Sequence, residues 1–134
     1  MTIIKIRKAE INEYKVITEL FCNSIKTICK KDYSEKQINI WVESADEVLI
    51  WNTKIENDYF IVAELNSIIV GFASLEANNC LDLLYVHPNY QSIGVASNLL
   101  KSIETEVLNK GNYHIWTDSS LTAKRFFLKK QFQN

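Results

Sequence analysis

Proline and glycine are scarce in this chain of 134 residues, with one proline and three glycines. That scarcity excludes collagen-like and Gly/Pro-rich low-complexity sequence, and no stretch reads as a linker or a repeat. Cysteine is sparse too. Cys22, Cys29 and Cys80 form an odd set without metal-ligand spacing, which argues against a disulfide framework and a zinc cluster, so no metal site is expected. Cys22 and Cys29 fall near one helical face and read as small buried apolar side chains. Neither charge sign prevails: the formal net charge is −1, which gives no electrostatic case for nucleic acid or an anionic membrane. No apolar run is long enough to span a bilayer, and the N-terminus lacks signal-peptide architecture. The reducing cytoplasm is therefore the expected location. A Walker phosphate loop is excluded because no Gly-Lys-Ser/Thr occurs, and a dinucleotide fingerprint lacks two of its glycines.

What is present is a core. The hydrophobic fraction of 47% and the length suit one domain over residues 1–134. Thr2 to Arg7 alternates apolar and polar residues, as a strand does. Glu10 to Lys30 carries Tyr14, Ile17, Phe21, Ile25 and Ile28 at amphipathic-helix spacing. Ser34-Glu35-Lys36-Gln37 is a capping-box pattern that starts a second helix through Ile38, Trp41, Val42 and Ala45, with an undefined end near Val48 to Trp51. Tyr59 to Leu65 and Ile68 to Ala77 read as strands joined at Asn66-Ser67. Cys80 to Val86 is a further strand, and a helix buries Val95, Leu99, Ile103 and Val107 and stops at Gly111. Tyr113 to Asp118 alternates again, and Ser119-Ser120 can cap a last helix. The expected order is β-α-α-β-β-β-α-β-α, an α+β mixed sheet with helices on both faces and one βαβ crossover.

The most informative stretch runs from Val86 to Ser97. An apolar strand empties into Pro88, a short polar turn follows, and Gln91-Ser92-Ile93-Gly94-Val95-Ala96 opens a helix. The first amides of a helix have no intrahelical acceptor and sit at the positive end of its dipole. Such a corner is a ready cradle for a phosphate-bearing ligand. Gly94 would let the backbone approach it closely.

Here the sequence resembles the GNAT superfamily of acyl-CoA-dependent N-acetyltransferases. Leu83-Leu84-Tyr85-Val86-His87-Pro88 and Gln91-Ser92-Ile93-Gly94-Val95-Ala96 match that family's fourth strand and pyrophosphate loop. Asp32-Tyr33-Ser34 with Gln37 and Trp41, and Asp118-Ser119-Ser120-Leu121-Thr122-Ala123 with Phe126-Phe127, are similar to its YafP-like subgroup. The resemblance implies acetyl-CoA as cosubstrate and an amine of a small molecule or peptide as acceptor. It implies a bulge in the fourth strand, where the fourth and fifth strands splay and the pantetheine arm inserts. Leu84, Tyr85 and Val86, with backbone groups of Leu84 and Val86 pairing with it, the loop Gln91, Ser92, Ile93, Gly94, Val95 and Ala96, and Ser97 one turn on would then hold the cofactor. Ser120 would touch it, and Phe126 and Phe127 would line its far side. Tyr33, Trp41 and Trp116 would wall the acceptor pocket.

The implied chemistry is direct attack of a neutral amine on the thioester, with no protein nucleophile. The protein then has to orient the amine, take its proton and stabilise the oxyanion. A backbone N–H at the bulge would be the oxyanion donor. Asp82 and Glu76 are the carboxylates expected nearest the reaction centre, and either is a candidate base, directly or through water. His87 has suitable chemistry but reads as a turn residue. The sequence also departs from the family pattern. Ser92 stands where glycine is common, Gln131 replaces a usual glycine, and Phe127 replaces a tyrosine general acid. The family's two last strands have no counterpart after Phe132. An exposed edge on strand five is expected to be covered by a second copy in a homodimer. The alternative is a non-catalytic domain of the same fold that binds acyl-CoA.

Overall fold

The computed structural model describes residues 3–28, 33–77 and 79–117. Strand β1 (Ile4–Lys8) leads through a 3-10 turn, Ile11–Glu13, into helix α1 (Tyr14–Ile28). Helices α2 (Glu35–Glu43) and α3 (Val48–Asn57) follow. Strands β2 (Tyr59–Leu65), β3 (Ile68–Glu76) and β4 (Cys80–Val86) come next, then helix α4 (Val95–Asn109) and strand β5 (Trp116–Thr117). The sheet order is β1-β2-β3-β4-β5. The first four strands pair antiparallel, and β5 runs parallel to β4 after the α4 crossover.

Side-chain alternation divides the core into two layers. Phe60, Val62 and Phe72 join Ile17, Phe21, Ile25, Trp51 and Ile55 on the α1–α3 face. Ile61, Ala63, Leu65, Val70 and Ala73 join Val95, Leu99, Leu100, Ile103 and Val107 beneath α4. Each fully buried valine, leucine, isoleucine or phenylalanine among them contributes roughly 1.5–3 kcal/mol of transfer free energy. The β2–β3 turn falls at Asn66-Ser67, with φ of 53° and 66°. Two successive left-handed residues match the strand twist in a tight hairpin. Ser34 caps α2 through Gln37 N–H at 3.1 Å, and Gly111 at φ 81° ends α4. Arg7 ties β1 to β2 and to the turn before α1 by ion pairs with Glu64 and Glu13. Its hydrogen bonds hold the Glu13 carboxyl below the usual range.

Two features differ from the expected order. A third helix, α3, occupies the stretch whose end the sequence leaves undefined. Helix α1 starts at Tyr14, with Glu10 capping the preceding turn. The helix expected after Ser119 lies outside the described residues, as does Cys29. Cys22 is half-buried, and burial pushes its thiol up in pKa.

Gly71 sets the height of α4 above the sheet. A Cβ there would lie 2.8 Å from Val95 Cγ1 and 3.1 Å from both Leu99 Cδ1 and the Tyr85 carbonyl oxygen. Gly71→Ala is expected to destabilise the fold by about 1–3 kcal/mol through overpacking. The readout is the urea midpoint at constant m-value, and an unmoved midpoint would show that α4 has room to lift.

Candidate functional site

The end of β4 and the start of α4 form one built corner. The His87 N–H donates to the Val70 carbonyl at 2.8 Å, and the Tyr90 N–H returns to the His87 carbonyl at 2.9 Å. His87 Nδ1 accepts from the Asn89 N–H at 3.1 Å, which fixes His87 as the cap of a 3-10 turn over Pro88–Tyr90. The chain then passes through Ser92 at φ 65° and Gly94 at φ 94°. Ser92 thus adopts the left-handed backbone that glycine takes easily, which accounts for glycine being common at that position. Gly94 is the N-cap of α4 and offers no side-chain cap, and the first turn carries no acidic residue. Among the described residues nothing caps the leading amides of α4, which leaves them to an external acceptor. They lie at a cleft of about 280 Å³ lined by Val86, Tyr90, Gln91, Ser92, Gly94, Val95, Ala96 and Ser97. Of the expected loop residues, all but Ile93 line this cleft; Ile93 is half-exposed on the surface.

Strand β4 leads into that corner. In an antiparallel ladder the backbone groups of successive residues point alternately to either side. His87 N–H and the Tyr85 carbonyl point at β3. Leu84 and Val86 therefore direct theirs to the β5 side. Among the described residues, β4–β5 pairing comprises Cys80↔Trp116 and Leu81↔Thr117. Directly after it comes the bulge: Ser74 pairs with Leu83 and Leu75 with Leu81, so Asp82 is an extra residue.

Asp82 does not stand alone. Its carboxylate is ion-paired with Lys54 of α3, whose ammonium also lies 3.5 Å from Glu76 Oε2. Carboxylate oxygens of Asp58, Glu76 and Asp82 lie within 4.8 Å of one another. Burial opposes the Lys54 charge, but the Asp82 hydrogen bond and the carboxylates outweigh it and raise its pKa. Burial likewise pushes the Asp58 carboxyl up, and Asp58 Oδ2 is a buried atom without a hydrogen-bond partner among the described residues. The two expected carboxylates, Asp82 and Glu76, are thus brought together. Sequence reading missed Lys54 and Asp58, which come from the unexpected helix and its end. Their four-residue spacing was the one available signal.

The remaining expected residues are distributed as follows. Tyr33 and Trp41 meet edge-on, with ring centroids 4.6 Å apart, and Tyr33 lines a cleft of about 520 Å³ with Lys26, Glu35, Ile38 and Asn39. The Tyr85 ring packs against Phe21 and Phe72 on the α1–α3 face. Trp116 pairs with Cys80 through the sheet. Ser120, Phe126 and Phe127 lie outside the described residues.

A profile of the acetyltransferase (GNAT) domain family matches residues 29–134. The chain is 33% identical to the uncharacterized N-acetyltransferase YafP of Escherichia coli K12 over 133 residues, which is 99% of this chain and 83% of that protein. A solved GCN5-related N-acetyltransferase from Rhodopseudomonas palustris, also described as an aminotransferase of class II, superposes with a TM-score of 0.91 at 30% identity. The match covers 94% of this chain and 79% of that one. The PaiA N-acetyltransferase of Thermoplasma acidophilum, solved in complex with coenzyme A, gives a TM-score of 0.75 at 26% identity, over 96% of this chain and 88% of that one.

Proposed function

The chain belongs to the GNAT acetyltransferase family, and on that footing we propose that it transfers the acetyl group of acetyl-CoA to a primary amine of a small molecule or peptide. One observation carries the reading: the uncapped, acid-free N-terminus of α4 opens through Gly94 onto the cleft beside β4. The pyrophosphate would be held by amides from Gln91 to Ala96, near Ser97. The pantetheine would lie along β4 against the backbone of Leu84 and Val86, with its thioester at the Asp82 bulge. A coenzyme A complex of the Thermoplasma relative supports this cosubstrate.

In this reading a neutral amine attacks the thioester carbonyl. The C–N bond forms, a backbone N–H at the bulge steadies the oxyanion, and the C–S bond breaks as the CoA thiolate leaves. The amine proton passes to the carboxylate group around Asp82 and Glu76. Tyr33, Trp41 and Trp116 belong to the acceptor side.

Acetyl-CoA at a hundredfold excess over its Kd is expected to raise the melting temperature by about 6–10 °C, since a ligand that binds only the folded chain stabilises it. Thiol release with a panel of amines then reads out transfer. No shift at millimolar acetyl-CoA would overturn the reading. A shift without thiol release for any amine would favour the alternative, a domain that binds acyl-CoA without turning it over.

A further inference from the structure

The carbonyl of Val86 is claimed twice. Ser24 Oγ of α1 donates to it at 3.1 Å, in a buried contact that spans 62 positions of sequence. Gln91 Nε2 donates to the same oxygen at 2.9 Å from the far side of the 3-10 turn. Ser24 is 3% exposed, and among the described residues its bond to Val86 is the one hydrogen bond of its hydroxyl. A carbonyl oxygen has two lone pairs, so these two donors saturate it. By the strand alternation this oxygen points to the β5 side of β4, along the edge on which the acetyl-CoA reading lays the pantetheine.

We infer that Ser24 and Gln91 are positioning residues for the cofactor. Together they hold the last carbonyl of β4 in place, and that oxygen is both the final rung of the edge and the root of the anion-cradling turn. The Gln91 bond pulls the entrance of the loop back onto the strand, which keeps the amides of Gln91 to Ala96 aimed at one point before any ligand arrives. The Ser24 bond fastens the same point to α1, so the helical layer that carries the acceptor side is mechanically joined to the phosphate loop. It also follows that Val86 offers the cofactor its N–H and not its carbonyl. A preformed cradle binds more tightly because the loop does not have to be ordered on binding.

This inference rests on the acetyl-CoA reading, and the test separates the two. Calorimetric titration of the full chain with CoA and with acetyl-CoA is compared for the wild type, Ser24→Ala, Ser24→Thr and Gln91→Met. Gln91 is exposed, so Gln91→Met keeps the side-chain length and the fold while removing the donor. Ser24→Ala and Gln91→Met are each expected to weaken both ligands about tenfold, the size of one lost buried hydrogen bond. Ser24→Thr, which keeps a donor, is expected to recover most of that loss. In turnover the loss falls on KM for acetyl-CoA, with kcat and the acceptor KM close to wild type. If the two donor-less variants melt lower but bind CoA like wild type, the bonds are merely structural and this inference is overturned. If the wild type itself binds neither CoA nor acetyl-CoA, the acetyl-CoA reading falls first and takes the inference with it.

Discussion

Gly94→Val is expected to weaken acetyl-CoA binding at least about a hundredfold, equivalent to roughly 2.7 kcal/mol, while costing the fold less than that. The backbone at this position has φ 94°. A β-branched residue there pays about 1–2 kcal/mol of left-handed strain. Space inside the protein is not the obstacle. A Cβ on Gly94 would meet one neighbour, Asn98 Nδ2 at 3.7 Å. The larger loss comes from outside. The added isopropyl group would stand at the mouth of the cleft, and strain would turn the leading amides of α4 away from their common focus. Isothermal titration with acetyl-CoA, run beside urea denaturation, separates the two effects. Affinity that falls no further than the stability loss can account for would mean that the loop does not hold the pyrophosphate.

Asp82→Asn should lower kcat about a hundredfold with acetyl-CoA affinity retained, the usual scale for loss of a positioned base. Asparagine keeps the shape of aspartate and an oxygen for the Lys54 ammonium, but it cannot take up the amine proton. The surroundings suit the role. Asp82 interrupts the ladder at the bulge, and Lys54 anchors its carboxylate. Asp58, pushed up in pKa by burial, stands in the same group of carboxylates. Glu76 is the more exposed partner, with half of its side chain open to solvent, and Glu76→Gln should cost less than tenfold. Single-turnover thiol release, with saturating acetyl-CoA and acceptor, is the measurement. Wild-type turnover in Asp82→Asn would remove Asp82 as the base.

Much of this arrangement was legible because it is local. The Asn66-Ser67 hairpin, the Ser34 cap, the Gly111 stop and the strand–turn–helix from Leu81 to Leu99 each depend on residues a few positions apart, and each is found. The family resemblance rested on the same short motifs. Helix α3 escaped because its sequence carries contrary signals. Glu47 provides no side-chain cap, and Val48, Leu49 and Ile50 are exposed, so the apolar residues do not mark a buried stripe. Of the apolar residues of α3, Trp51 and Ile55 are the buried ones. The Lys54–Asp82 pair escaped for a different reason. The fold brings the Lys54 side chain of α3 to Asp82 of β4 across 28 positions, and no short-range pattern encodes that meeting. The bulge was reached by resemblance and not by pattern, since Leu83 to Val86 is an unbroken apolar run in which a skipped alternation leaves no trace.

That skipped alternation reaches beyond the site itself. A strand keeps time with a beat of two, and Asp82 inserts an extra beat. Leu81, Leu84 and Val86 all serve the layer under α4, although the first has odd parity and the others even, while Leu83 and Tyr85 serve the opposite layer. A β4 restored to perfect rhythm would gain a ladder rung and turn one of its halves inside out. The two hydrophobic layers are therefore guarantors of the irregularity. The fold cannot relax Asp82 into line without exposing leucines, so the bulge in β4 is held in place by the core on either side of it.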